Sequence, residues 1–384
     1  MTADLHGHVD LVREKGDLMT RARSIRFRDL SLDEIERREI IQELDRLMQG
    51  GQFILGEEVE LFERDLASRC RSGYAVGVSN GTGAVFLALK ALGVGAGDEV
   101  ITSPMSWIAT GNAVLALGAT PVFADVADDF NIDPSAIEAV ISSRTAALLP
   151  VHFYGRMARM DEIGEIARRH SLLVVEDAAQ AFGAKFDGRP AGSFGDASAF
   201  SLNPMKPLAA LGEAGAVVTS DGEVAERVKS LRYLGTINRE TCIDPTLNFK
   251  IDTMQAVILR RRLHRVDDII AIRNRIARRY SSGLADVVCV PTPDDRIVNA
   301  CFDYTIVCEE RDKLEAALIA DGIEVKVRHR LLLTQQPGYP SVIGSVPNAE
   351  RLVRGILSLP IHEKLTDEEV DIVIESVRRF YGEA

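Results

Sequence analysis

No apolar run in this 384-residue chain approaches the roughly 18 residues that a membrane helix needs. The N-terminus also lacks the apolar core of a signal peptide, so no secretory route is expected. Signs of disulfide or zinc chemistry are missing too. Five cysteines, Cys70, Cys242, Cys289, Cys301 and Cys308, are odd in number, scattered, and without CxxC spacing. That pattern predicts free thiols in a reducing compartment and no structural metal. There is no basic excess. With 57 acidic against 45 basic side chains and a net charge of −12, the balance argues against nucleic acid or an anionic membrane as main partner. Aromatic residues make up 6% and include one tryptophan, Trp107, whose setting can therefore be read singly. What remains is ordinary soluble composition, 46% hydrophobic and 27% charged, in a chain long enough for two domains. A cytoplasmic protein is expected.

The informative stretch runs from Gly195 to Val218. A small-residue strand (Ala197 to Leu202) leads to a turn at Asn203 and Pro204, then Lys206, then two glycines and a second apolar run. A lysine between two buried strands, with no acidic residue within four positions, should lose pKa and become nucleophilic. A loop lysine facing water fits this stretch as well. Upstream, Ser171 to Asp177 (SLLVVED) is a continuous apolar run ending in carboxylates, the pattern of a strand buried on both faces of a parallel sheet. Ligands of open α/β sheets bind at the carboxyl ends of such strands, where Asp177 falls. Pyridoxal phosphate needs a lysine for its Schiff base and an acid for its pyridinium nitrogen, which Lys206 and Asp177 can supply.

Strand and helix alternate from Tyr74 to Asp177, which predicts a mainly parallel α/β sheet. The strands are Tyr74 to Val78, Glu99 to Thr102, Thr120 to Val126 and Ala146 to Phe153. SNGTGA (Ser79 to Ala84) opens a helix, a turn that either holds an anion or is merely tight. His152, beside a strand end, is either an acid–base group or a structural residue. Further expectations are a helix from Ser31 to Met48 with Ser31 as N-cap, and Asp133 as a later N-cap. One long helix from Asp252 to about Tyr280 should link the domains, with Arg260, Arg261 and Arg262 on a solvated face. Arg21, Arg23, Arg26 and Arg28 read as a solvated arm. Strands are expected over Phe302 to Val307 and Ile323 to Val327, and Thr366 as cap of the last helix.

EDAAQAFGA (176–184), GSFGDASAFS (192–201), PMK (204–206), GEAGAVVT (212–219) and LSLPIHEKLTDEEV (357–370) together resemble the DegT/DnrJ-type sugar aminotransferases, pyridoxal-phosphate enzymes of fold type I. The resemblance runs from about Phe53 to the end. Residues 1–25, with little apolar periodicity, are expected as an N-terminal arm, followed by a large cofactor-binding domain (26–256) and a smaller C-terminal α/β domain (257–384). The resemblance implies that Lys206 carries the Schiff base, that Asp177 faces the pyridine nitrogen, and that Gln180 serves the phenolic oxygen. Gln180 follows Asp177 by three positions, as on one helical turn. Trp107 would stack on the ring, although a lone tryptophan more often packs in a core. Thr82, Gly83, Ser201 and Asn248 would hold the phosphate, Asn248 from the partner of a homodimer. The implied reaction moves an amino group from L-glutamate to a keto sugar, often nucleotide-linked. Departures lie in NPMK, in Lys250 where arginine is usual, and in RHRLLLTQQPGY (328–339), where Thr334 replaces a histidine. Arg328, His329 and Arg330 could meet a phosphate or a carboxylate, or be a plain surface cluster. Lys206 argues against the family's dehydratases, which carry histidine there. A regulatory protein that keeps the fold without turnover is the competing class.

Overall fold

The computed structural model describes residues 24–339 and 344–382. Seven strands form the central sheet: β1 (Tyr74–Val78), β2 (Glu99–Thr102), β3 (Thr120–Phe123), β4 (Thr145–Leu149), β5 (Leu173–Asp177), β6 (Ala197–Ser201) and β7 (Gly215–Thr219). Their order is β1-β7-β6-β5-β4-β2-β3. Only β7 runs antiparallel to its neighbours in this sheet; the other pairs are parallel. The expected mainly parallel α/β architecture is therefore present.

Alternation along each strand separates two cores. Ile101, Leu148, Val174, Phe200 and Val218 face one side, and Val100, Leu149, Val175, Ala199 and Val217 the other. Helices cover both faces, as continuous apolar strands require. They are α1 (Glu34–Gly50), α2 (Glu57–Arg69), α3 (Gly81–Ala91), α4 (Ile108–Ala116), α5 (Met160–His170), α6 (Gly222–Arg232), α7 (Thr253–Leu263) and α8 (Val266–Leu284). A separate core gathers Ile276 and Tyr280 of α8 with β8 (Tyr304–Val307), α9 (Arg311–Ala320), β9 (Ile356–Leu359) and α10 (Asp367–Phe380). There β8 and β9 pair antiparallel, and Thr366 caps α10 through the expected capping box. No helix among the described residues is long and apolar enough to cross a membrane.

Several expectations need correction. The long helix is two: α7 ends on Arg260, Arg261 and Arg262, and α8 starts on Asp267 and Asp268. Each set of charges suits its helix end, so the break was written in the charge pattern. Those arginines are not merely solvated: Arg260 pairs with Glu58 and Asp65, Arg261 with Glu39, and Arg262 with Glu36. Asp33, not Ser31, caps α1, accepting from the Glu36 N–H at 2.7 Å. Residues 323–327 form no strand; Ile323 bridges to Ile25 and Lys326 to Ser358, and pairing split between two partners extends neither ladder. Residues 1–23 of the expected arm (1–25) lie outside the described ones; Ile25 is buried, and of the expected solvated arginines Arg26 is exposed whereas Arg28 is deeply packed, paired with Asp303 at 2.6 Å.

Candidate active site

Asp177 closes β5, and its carboxyl points into a buried setting at the carboxyl edge of the sheet. It accepts from the Thr110 hydroxyl at 2.7 Å and from the Ala179 N–H at 3.2 Å. Thr110 stands in the first turn of α4 and is itself bonded to Ser106 at 2.7 Å. Burial pushes the Asp177 carboxyl up, against Thr110, the Ala179 N–H and the Lys206 charge. Gln180 is buried in the turn that follows, not on a helix, so the expected helical turn is absent. Its carbonyl oxygen accepts from the Tyr154 N–H at 2.8 Å, which orients the amide so that its NH₂ is left to donate.

Lys206 sits in a turn after β6, where the Asn203 side chain accepts from the Met205 N–H and the Asn203 carbonyl from the Lys206 N–H. Asn203 here makes the Asx turn that such residues favour. The residue keeps some exposed surface, but its ammonium lies 4.3 Å from the centre of the Phe302 ring. Burial lowers the Lys206 pKa to about 8, opposed by the charges of Asp177 and Asp303. The solvent-facing alternative is thereby set aside: this lysine gives up its proton more readily than an exposed one, as suits a nucleophile or proton carrier.

The N-terminus of α3 lies at the same edge. Asn80 caps it, accepting from the Gly83 N–H at 2.8 Å. The first-turn N–H groups of Gly81 and Thr82 have no intrahelical acceptor, which makes this end receptive to an anion. Two glycines allow the crowding. A Cβ on Gly81 would lie 2.5 Å from that of Ser201, and one on Gly83 2.7 Å from the Phe249 ring. Trp107, at the N-terminus of α4, is 58% exposed and lies edge-on to His329 with ring centres 6.4 Å apart. Core packing is thus not its setting. Asn248 is exposed; its side chain accepts from the Lys250 N–H at 3.2 Å. The next residue, Phe249, accepts from the Ser79 N–H at 2.8 Å, so this segment borders its own chain's α3 turn.

The arrangement fits pyridoxal phosphate. A buried carboxylate, held by a hydroxyl and one backbone N–H rather than by a guanidinium, leaves room for a protonated ring nitrogen. A helix N-terminus whose first turn carries only the Thr82 side chain, between Gly81 and Gly83 and beside Ser201, suits a phosphate. His152 belongs elsewhere. It is fully buried, its Nδ1 accepts from the Ala158 N–H at 3.2 Å, and its Nε2 therefore donates to Glu176 at 2.9 Å. Reading the chain alone missed Asn80, Thr110, Phe302 and Asp303. Asn80 was legible as a capping residue before a glycine-led helix. Asp303 reaches the site only through the fold.

An open α/β sheet with this lysine, acid and anion-receptive turn at one edge defines the pyridoxal-phosphate enzymes of fold type I. The chain belongs to the DegT/DnrJ/EryC1/StrS aminotransferase family, whose model matches residues 34–378. A dTDP-3-amino-3,4,6-trideoxy-alpha-D-glucose transaminase of Streptomyces venezuelae is 41% identical, covering 87% of this chain and 90% of its own. A "pleiotropic regulatory protein" of Geobacillus stearothermophilus is 38% identical over 89% and 94%. The solved structure of S. venezuelae DesV in complex with a ketimine intermediate superposes with a TM-score of 0.90, at 39% identity, covering 93% of this chain and 98% of that one. NtdA of Bacillus subtilis with bound cofactor PMP superposes at 0.87 with 29% identity, over 94% and 86%. The expectations of the family, of an aminotransferase and of pyridoxal phosphate as cofactor are borne out.

Proposed function

We propose that this aminotransferase moves an amino group from L-glutamate to a keto sugar carried on a nucleotide, in amino-sugar biosynthesis. The supporting observation is Lys206, lowered to about 8 beside the buried Asp177, in a chain similar to a dTDP-sugar transaminase. When bound, the cofactor supplies an electron sink for breaking the bond to the substrate's α-hydrogen. The chain supplies the rest. Lys206 Nζ would hold the cofactor and, as the amine nearest the reacting carbon, would take up and return its proton. Asp177 would keep a negative charge against the ring N–H, Gln180 would donate to the phenolic oxygen, and Trp107 would offer a flat face. Thr82, Gly83 and Ser201 hold the phosphate. In this reading residues 26–256 form the cofactor domain and 257–384 the small domain.

The active unit is a homodimer in which Asn248 completes its partner's phosphate site; its exposure in the single chain favours this. Mixing Lys206→Ala subunits with Asn248→Ala subunits tests it. Composite sites would place both lesions in one site and neither in the other, so activity should partly return; no recovery despite subunit exchange would sink the idea.

Glutamate should shift the visible band of the purified holoenzyme, and a panel of nucleotide-linked, free and phosphorylated keto sugars and keto cyclitols should reverse the shift. Reversal by free sugars or cyclitols alone would overturn the nucleotide assignment. The regulatory relative favours a second reading, a sensing protein without turnover. A colourless protein that ignores glutamate would support it.

A further inference from the structure

We propose that Arg328 binds a carboxylate carried by a substrate of this enzyme, with the guanidinium edge that Asp303 leaves free near Lys206. The inference rests on the donor and acceptor assignment above. Its motivation is a charge imbalance. Two guanidiniums, Arg28 and Arg328, share one fully buried carboxylate, Asp303. Arg28 holds it closely, with Nη2 2.6 Å from Oδ1, and also donates to the Ile361 carbonyl. Arg328 holds it loosely: Nη2 lies 3.2 Å from the same oxygen, and Nε is 3.0 Å from Oδ2 without making a hydrogen bond. The Arg28 side chain is 6% exposed and that of Arg328 22%. Arg28 alone can therefore keep Asp303 paired while Arg328 turns to a second anion. The nearby Arg273 is matched by Glu363 at 2.9 Å, so one positive charge of the group stays uncompensated. Burial pulls the Arg28 guanidinium below its ordinary value; Asp303 opposes this, and the charges of Arg273 and Arg328 add to it.

Position makes this charge useful. The ring of Phe302 carries the Lys206 ammonium, 4.3 Å from its centre, and the guanidiniums of Arg28 and Arg328, each 5.1 Å away, of which Arg328 is the more exposed. A substrate whose amino group reaches Lys206 thus has Arg328 across one aromatic ring. His329 adds no charge, since burial lowers its pKa to about 4. Arg330 faces away, onto Asp312 and Glu315. One spare positive charge on a planar fork matches a carboxylate monoanion better than a phosphate dianion. The carboxylate can come from the amino donor or from a uronic-acid keto sugar, and the experiment separates the two.

The test uses the holoenzyme and Arg328→Gln, following the cofactor spectrum in each half-reaction. Half-saturation by L-glutamate should rise about tenfold or more, as loss of a charged hydrogen bond implies, with a neutral keto sugar unaffected. Weakening confined to a keto uronate would assign the carboxylate to the acceptor. Arg328→Lys, which keeps charge without the fork, should fall between. No change with either anion, or an equal loss with the neutral sugar, would overturn the proposal. Should Arg328→Gln fail to fold, wild-type protein decides through Trp107, which lies beside His329. Glutarate should perturb its emission and glutaramide should not; equal responses, or none, would reject Arg328 as a carboxylate site. Wild-type enzyme that responds to glutarate but shows no glutamate turnover would refute the donor assignment and leave this one standing.

Discussion

Glu176 and Asp177 are neighbours in sequence, both carboxylates, both buried, and they leave opposite faces of the same strand. Their surroundings differ sharply. Glu176 accepts from His152 Nε2 at 2.9 Å, the N–H groups of Gly192, Phe194 and Gly195 at 3.0, 2.8 and 2.9 Å, and the Ser198 hydroxyl at 2.8 Å. Burial alone would raise its pKa, but His152 and the backbone donors outweigh that and hold it below the usual carboxylate range. Asp177 takes one hydroxyl and one N–H, and burial wins. A carboxylate saturated by its own chain has nothing left for a ligand; one left short keeps that capacity, at a cost to the empty fold. Glu176 ties the loop 192–195 to the sheet. Asp177 has fewer donors than Glu176.

The comparison breaks most severely at Lys206, the cation that faces Asp177 and not Glu176. Lys206→Ala should still bind pyridoxal phosphate through its other contacts yet lose turnover by several orders of magnitude, because nucleophile and proton carrier go together. Borohydride should then no longer fix cofactor to the chain, as mass spectrometry of the intact protein would show. Labelling that persisted would move the role to another lysine. Next in size is Asp177→Asn. Removing one charge-assisted hydrogen bond worth about 1.5–3 kcal/mol should slow turnover roughly ten- to a hundredfold with the cofactor still attached. Glu176→Gln, one residue away, should leave the cofactor's absorption spectrum as it is; a spectral change there would mean that the two faces of β5 are not independent.

Much of this was legible before folding. Sheet class follows from the apolar runs, although two strands end earlier than expected, at Phe123 and Leu149 rather than at Val126 and Phe153. Local signals in charge were present but under-read, as at the break between α7 and α8. What could not be read was any contact made only by the fold. Arg28 looks like one of four arginines on a polar arm, and only tertiary structure sets it on Asp303, 275 residues later. His152 likewise needed Glu176 to decide between its two readings.

The smallest expected effects are on stability, and there the two carboxylates should answer with opposite signs. Glu176→Gln turns an NH₂ toward donors, either the Gly192 N–H and His152 or the loop N–H groups, so the cofactor-free protein should lose about 1–3 kcal/mol. Asp177→Asn keeps an oxygen for the Ala179 N–H, and Thr110 can turn its hydroxyl to Ser106. It removes a buried charge, so cofactor-free protein should gain stability at neutral pH. The pH dependence follows from linkage. Glu176 has a lowered folded pKa, so its contribution is present above the ordinary carboxylate range and is lost as pH falls through the folded value. Asp177 has a raised one, so wild-type stability drops as pH climbs from the ordinary range through that value. The gain from Asp177→Asn should therefore vanish in acid and grow toward neutrality, while the loss from Glu176→Gln shrinks in acid. Thermal unfolding of both variants across that range measures the pair. Equal destabilisation by the two would mean that Asp177 is as well satisfied as Glu176, and the contrast between the faces of β5 would fall.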